Sequence, residues 1–172
     1  FRRMKTPEKP IEPKPEAIRY LSGRGISMEV IRRYQVTVQT EHPDILVFPF
    51  LDGDGKMQFV KYRKTDFDRE RDKNKEWCEA GCKPILFGMA QCEGTDRLVV
   101  TEGQIDSLSV ATAGIGNAVS VPNGAKGFAW IPYCWDWINR FREVVVFGDY
   151  EKGRITLLEE LSQRLKCTVR HV

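Results

Sequence analysis

A chain of 172 residues, 41% of them hydrophobic, can bury one sizeable core or two small ones sharing an interface, which excludes two independent large domains. No stretch reaches the roughly 18 to 20 apolar residues of a membrane span and the start has no signal-peptide layout, so no membrane partner and a cytoplasmic location are expected. The net charge of +3 permits a polyanionic partner without requiring one, and five irregularly spaced cysteines suit free thiols in a reducing compartment better than a disulfide framework.

Residues 1–15 carry Pro7, Pro10, Pro13 and Pro15 among charges, which precludes continuous helix or strand and reads as a linker from an upstream domain. Ala17, Ile18 and Leu21 then share a helical face, stopped by Gly23 and Gly25, and Ser27 is a plausible N-cap for a second helix ending near Tyr34. Val36 to Thr40 alternates. Ile45 to Leu51 is nearly all apolar, Asp52-Gly53-Asp54-Gly55 is turn chemistry, and Met57 to Arg63 completes a β-hairpin. The charged stretch from Lys64 to Lys83 reads as a long exposed loop.

From there strands and helices alternate. Leu98 to Val100, Ala118 to Val121, Val144 to Phe147 and Cys167 to Val172 are expected strands. Ile105 to Ala113 and Ile155 to Leu165 are expected helices, the latter amphipathic. This order argues for a parallel α/β sheet in the second half. Trp130, Tyr133, Trp135 and Trp137 crowd around Pro132 and read as a packed cap over that sheet.

Two segments set carboxylates just past a buried strand, where open α/β sheets hold ligands. In Thr101-Glu102-Gly103-Gln104-Ile105-Asp106, Glu102 leaves the strand and Asp106 opens the next helix. In Phe147-Gly148-Asp149-Tyr150-Glu151-Lys152-Gly153, Asp149 and Glu151 point the same way if the extended conformation persists. If the two strands are neighbours, Glu102, Asp106, Asp149 and Glu151 converge. Such a cluster repels itself unless cations neutralise it, and hard oxygen donors without histidine select Mg²⁺ or Mn²⁺.

The Glu102-Gly103-Gln104-Ile105-Asp106 segment behind a hydrophobic strand, followed some forty residues later by hydrophobic-Asp-x-acid-x-Gly, resembles the Toprim domain. That domain is shared by bacterial-type primases, type IA and type II topoisomerases, OLD-family nucleases and RecR proteins. The resemblance implies metal binding and catalysis by Glu102, Asp149 and Glu151, with Asp106 a further metal-site member. This chain departs from the usual Asp-x-Asp-x-x-Gly: Glu151 replaces the second aspartate and one residue fewer precedes Gly153.

The preceding half narrows the family. Tyr20-Leu21-Ser22-Gly23-Arg24-Gly25-Ile26-Ser27, Val47 through Gly55, Phe59 through Arg63, and Lys83-Pro84-Ile85-Leu86-Phe87-Gly88 resemble the N-terminal half of the primase catalytic core. Thr101 to Asp106 and Val121-Pro122-Asn123-Gly124-Ala125 echo phage and mitochondrial primase-helicases. The resemblance implies a Toprim subdomain (93–172), with a parallel sheet flanked by helices, behind a smaller α+β subdomain (16–92). It also implies DNA primase activity: RNA primers made from ribonucleoside triphosphates on a single-stranded DNA template in replication, in a phage, mobile element or cell, with a fused or separate replicative helicase as partner.

Lys61 and Arg63 alternate along a strand and so face one side, where template or nucleotide phosphates could meet them, and Lys83 is a second basic candidate. Asn123 to Gly127 could offer backbone N–H groups to a phosphate. No Gly-Lys-Ser/Thr segment is present, which excludes a Walker-type ATPase. Cys78, Cys82 and Cys92 lack a fourth zinc ligand at ordinary spacing. Two other readings stand beside the primase: a Toprim nuclease or topoisomerase fragment, and a non-catalytic DNA-binding module.

Overall fold

The computed structural model describes residues 1–124 and 127–172. Ala125 and Lys126, in the middle of the candidate phosphate loop, lie outside the described residues.

Helix α1 (Pro15–Gly23) begins on a proline, whose missing N–H is no loss in a first turn. It closes in a Schellman motif, with Ile26 N–H donating to the Leu21 carbonyl and Gly25 N–H to that of Ser22. Helix α2 (Met28–Arg33) is capped as its sequence suggests, Ser27 Oγ accepting the Val30 N–H. The strands β1 (Thr37–Val38), β2 (Ile45–Leu51), β3 (Met57–Lys64) and β4 (Glu76–Cys78) form an antiparallel sheet in that order.

Strand β4 interrupts the stretch expected to be one long loop. Its polarity hides what pairs it to β3: Glu76 lies opposite Arg63 and Trp77 opposite Tyr62. The two aromatic rings stack at 5.7 Å, and such cross-strand pairs stabilise a strand that local hydrophobicity does not announce.

The second half supplies β5 (Arg97–Thr101), α3 (Gln104–Thr112), β6 (Ala118–Ser120), α4 (Ile131–Ile138), β7 (Glu143–Phe147), α5 (Thr156–Arg164) and β8 (Thr168–His171). The strands form a parallel sheet in the order β6-β5-β7-β8. The fold is thus mixed α/β, as expected. The aromatic cap is itself a helix, α4, since Pro132 falls in its first turn where a proline costs no backbone bond. Trp130 is fully buried, and Trp135 and Trp137 are half-buried against the same core.

One hydrophobic core runs through both sheets, from Leu21 and Ile31 through Phe48, Phe50 and Phe87 to Val100, Val146 and Leu161. Phe87 and Ser120 exchange backbone hydrogen bonds of 2.9 and 3.1 Å, and the Tyr34 hydroxyl donates to the Ala118 carbonyl at 2.6 Å. The back of the antiparallel sheet is covered by the proline-rich segment, whose Met4 and Ile11 pack on Leu51, Met57 and Val60. Met57 N–H donates to Thr6 Oγ1 at 2.9 Å and Ile11 N–H to Gln35 Oε1 at 2.8 Å. The segment has no regular structure but is docked along its length.

Candidate active site

Strands β5 and β7 are hydrogen-bonded neighbours, in register to their last pair, Thr101 with Phe147. Glu102 and Gly148 therefore leave the sheet side by side at its carboxyl edge, where such sheets bind ligands. Glu102 Oε1 accepts the Asp149 N–H at 3.2 Å, and Asp106 Oδ2 accepts the Gly103 N–H at 3.2 Å. Both approaches are close: a β-carbon on Gly148 would sit 2.9 Å from Ile155 Cγ2 and 3.2 Å from Glu102 Oε1, and one on Gly103 2.7 Å from Asp106 Oδ2, so either would push the neighbouring carboxylate aside.

Gln104, which sequence reasoning passed over, anchors this loop from below. It is buried, and its Nε2 donates to Ser120 Oγ at 3.1 Å and to the Val121 carbonyl at 2.9 Å. The signal was available, as a polar residue between Gly103 and Ile105 on the inward face of a helix start needs partners.

Crowding shows in the electrostatics. Desolvation lifts the Glu102 carboxyl above its ordinary range, the negative charges of Asp149 and Glu151 lift it further, and the Asp149 N–H opposes them. Asp106 is raised by desolvation and then by Asp149, against the Gly103 N–H and the charges of Arg63 and Arg24. The four carboxylates thus share one field, but not one geometry.

Glu151 departs from expectation. The extended conformation ends with β7, and Glu151 and Arg154 exchange backbone hydrogen bonds of 2.9 and 3.0 Å around Lys152 (φ 49°) and Gly153 (φ 79°). Two positive φ values make this a turn of type I′, which explains the shortened spacing before Gly153. Glu151 does not line the cleft that receives Glu102, Asp106 and Asp149. Among the described residues no three carboxylates, histidines or cysteines come within one metal's reach; Glu102 and Asp106 each spend an oxygen on a backbone N–H.

That cleft, about 560 Å³, is closed on its other side by Lys61, Glu76 and Cys78, with Asn123 and Gly124 contributing from the loop after β6. Lys61 and Arg63 do share a face. The buried Lys61 ammonium donates to the Pro122 carbonyl at 3.0 Å and pairs with Glu76 Oε2 at 3.2 Å, while Arg63 Nη1 meets Glu76 Oε1 at 3.1 Å. Glu76, hidden in the charged stretch, is the second residue that sequence reasoning missed. Lys83 is not brought to the cleft; its ammonium lies 5.9 Å from the Tyr133 ring. All five cysteines are free thiols, and among the described residues no helix is long and apolar enough to cross a membrane.

No family model matches the chain. It is similar to the "Primase homolog protein" of Arabidopsis thaliana, 29% identical over 164 residues, covering 85% of this chain and 46% of that one. It is also similar to the "Twinkle homolog protein, chloroplastic/mitochondrial" of the same plant, 28% identical over 166 residues, covering 85% and 22%. The chain therefore spans less than half the length of these curated relatives. Its structure superposes on the primase fragment of the bacteriophage T7 primase-helicase protein with a TM-score of 0.68 at 25% identity, covering 87% of this chain and 62% of that one. The zinc-binding and RNA polymerase domains of the Aquifex aeolicus primase give 0.71 at 18% identity, covering 92% and 49%. The chain is thus built on the catalytic-core fold of bacterial and phage primases.

Proposed function

We propose that this chain is the catalytic core of a metal-dependent DNA primase, joining ribonucleotides into short RNA primers on single-stranded DNA. The observation that carries the reading is the meeting of Glu102 and Asp149 at the ends of adjacent parallel strands, with Asp106 in the first turn of α3, across a cleft from Lys61, which shares Glu76 with Arg63. The likeness to primase cores supports it.

The donor set fits Mg²⁺ or Mn²⁺, being hard carboxylate oxygens whose mutual crowding a cation would relieve. Glu102 and Asp149 would hold the metal, with Asp106 beside them and Glu151, the fourth acidic member, contributing its negative field from the turn. The bound cation would supply charge neutralisation at the α-phosphate and alignment of the attacking ribose 3′-hydroxyl. The chain's own groups do the rest: Gln104 and Gly148 keep Glu102 in line, and Asn123 and Gly124 border the path of the nucleotide. Lys61 and Arg63 face its phosphates or those of the template, with Lys83 reserved for nucleic acid outside the cleft.

We read residues 16–92 and 93–172 as two subdomains that share one core and border this cleft, and residues 1–15 as a linker docked on the first of them. A replicative helicase, fused or separate, is the proposed partner, in keeping with relatives named as a primase-helicase and a Twinkle homolog. A reducing compartment such as the cytoplasm suits the free thiols.

The test is ribonucleotide incorporation on single-stranded DNA with Mg²⁺ or Mn²⁺, comparing the chain with Asp149→Ala. Synthesis lost in the variant supports the reading; equal synthesis removes Asp149 from the site, and nicking of DNA without nucleotide would make the chain a Toprim nuclease. A second reading, a non-catalytic DNA-binding module, is favoured by the tight turn that holds Glu151 away. DNA binding with neither synthesis nor Mn²⁺ binding would establish it.

A further inference from the structure

Glu76 lines the cleft and bridges its two basic neighbours, Lys61 and Arg63. Its two carboxylate oxygens are divided between two cations, Oε1 on Arg63 Nη1 at 3.1 Å and Oε2 on Lys61 Nζ at 3.2 Å, charge-assisted contacts of the kind a phosphate oxygen also accepts. The arginine is left incomplete: among the described residues its Nε is one of two buried side-chain nitrogens or oxygens without a hydrogen-bond partner. A carboxylate has two oxygens to offer. A phosphate has a third.

The charge balance points the same way. Among the charges that act at the cleft, Glu76, Glu102, Asp106, Asp149 and Glu151 stand against Lys61, Arg63 and Arg24, five negative groups against three positive. One divalent cation brings this to neutrality, so a polyphosphate meets no net attraction while Glu76 occupies both basic groups. The strand that carries Glu76 can yield: β4 has three residues, pairs with β3 alone and lies at the sheet edge. Lys61, its side chain only 9% exposed, cannot be left alone there, because a buried unpaired ammonium is far costlier than one that exchanges one anion for another.

We infer that Glu76 is a built-in stand-in for phosphate, which the phosphates of an incoming nucleotide displace from Lys61 and Arg63 when they bind. This rests on the reading that the cleft accepts nucleotides. It assigns Glu76 a role in specificity: a ligand with one weak negative charge does not displace it, and a triphosphate does.

The experiment measures binding of inorganic tripolyphosphate to the full chain by calorimetry with Mg²⁺ in excess, so it does not depend on primer synthesis. Glu76→Gln, which keeps the volume and removes the charge, is expected to bind about three- to tenfold more tightly, the scale of one partly exposed ion pair. Glu76→Asp, too short to reach both cations, is expected between the two, and Lys61→Gln is expected to weaken binding. Equal or weaker binding by a Glu76→Gln variant that melts like the parent overturns the inference, as does absence of binding in both. Either result leaves the primase reading to its own assay, and loss of primer synthesis with the tripolyphosphate pattern intact would strike only that reading.

Discussion

Glu102 and Asp149, forty-seven residues apart, are joined across the ends of β5 and β7 by a single hydrogen bond, Glu102 Oε1 accepting the Asp149 N–H at 3.2 Å. The bond sets one carboxylate against the backbone of the other, so orientation is decided before any ligand arrives. The same closeness raises the free energy of the ionised site, and that tension makes the site measurable.

Stability should depend on pH and metal together. Glu102 and Asp106 have folded-state pKa values raised above their ordinary range. Once pH climbs past the unfolded-chain values near 4, the unfolded chain has released protons that the folded protein still holds, so the contribution of these groups falls as pH rises through that window. A divalent cation offsets the penalty only where the carboxylates are ionised. In thermal melts, Mn²⁺ at tenfold its Kd is expected to raise Tm by about 3 to 6 °C near neutral pH. The shift should shrink toward pH 5, and a shift independent of pH would point to metal binding elsewhere.

The carboxylates should not be equivalent. Glu102→Gln and Asp149→Asn are each expected to lower Mn²⁺ affinity by about tenfold or more, and Glu151→Gln by about threefold, since the turn leaves it acting through its field alone. Titration followed by Mn²⁺ paramagnetic resonance ranks them. A Glu151 loss as large as that of Asp149 would mean the turn opens on metal binding.

The seam between the two sheets should tolerate little. Gly88 has φ 96°, and a β-carbon there would lie 2.8 Å from both the Ala118 carbonyl oxygen and Tyr34 Cε1. Gly88→Ala is expected to cost about 3 kcal/mol or more, combining a strained backbone with a clash in rigid surroundings. Tyr34→Phe, which leaves the Ala118 carbonyl without the hydroxyl, should cost about 1 to 2 kcal/mol. Urea denaturation gives both values.

Thiol labelling should be selective. Burial pushes the Cys92 and Cys134 thiols up to about 12 and raises that of Cys82, while Cys78 is exposed at the rim of the cleft. A maleimide at neutral pH is expected to modify Cys78 first, since thiolate and access are both required. Peptide mass mapping identifies the site. If the cleft holds nucleotide, a bulky adduct there should also slow primer synthesis, and Cys78→Ser should protect it.

By itself the sequence determined the local elements and the chemistry each one carries. The run from Ile45 to Leu51 with its Asp-Gly turn reads as the hairpin it is, Ser27 caps the helix it precedes, and Glu102 and Asp149 stand just past apolar strands. These features are legible because strand pleat, helix period and turn chemistry act over a few residues. Only the tertiary structure decided which elements meet. It made β5 and β7 neighbours, so that Glu102 reached Asp149; it folded Glu151 into a turn, stacked Trp77 on Tyr62 to build a strand from a polar stretch, and left Lys83 outside the cleft. The physical reason is that strand order and long-range ion pairs are selected by the cooperative packing of one shared core. Glu76 shows the limit most plainly: nothing near it in the chain distinguishes it from Glu70 or Glu79, and only the strand opposite brings Lys61 and Arg63 to its two oxygens.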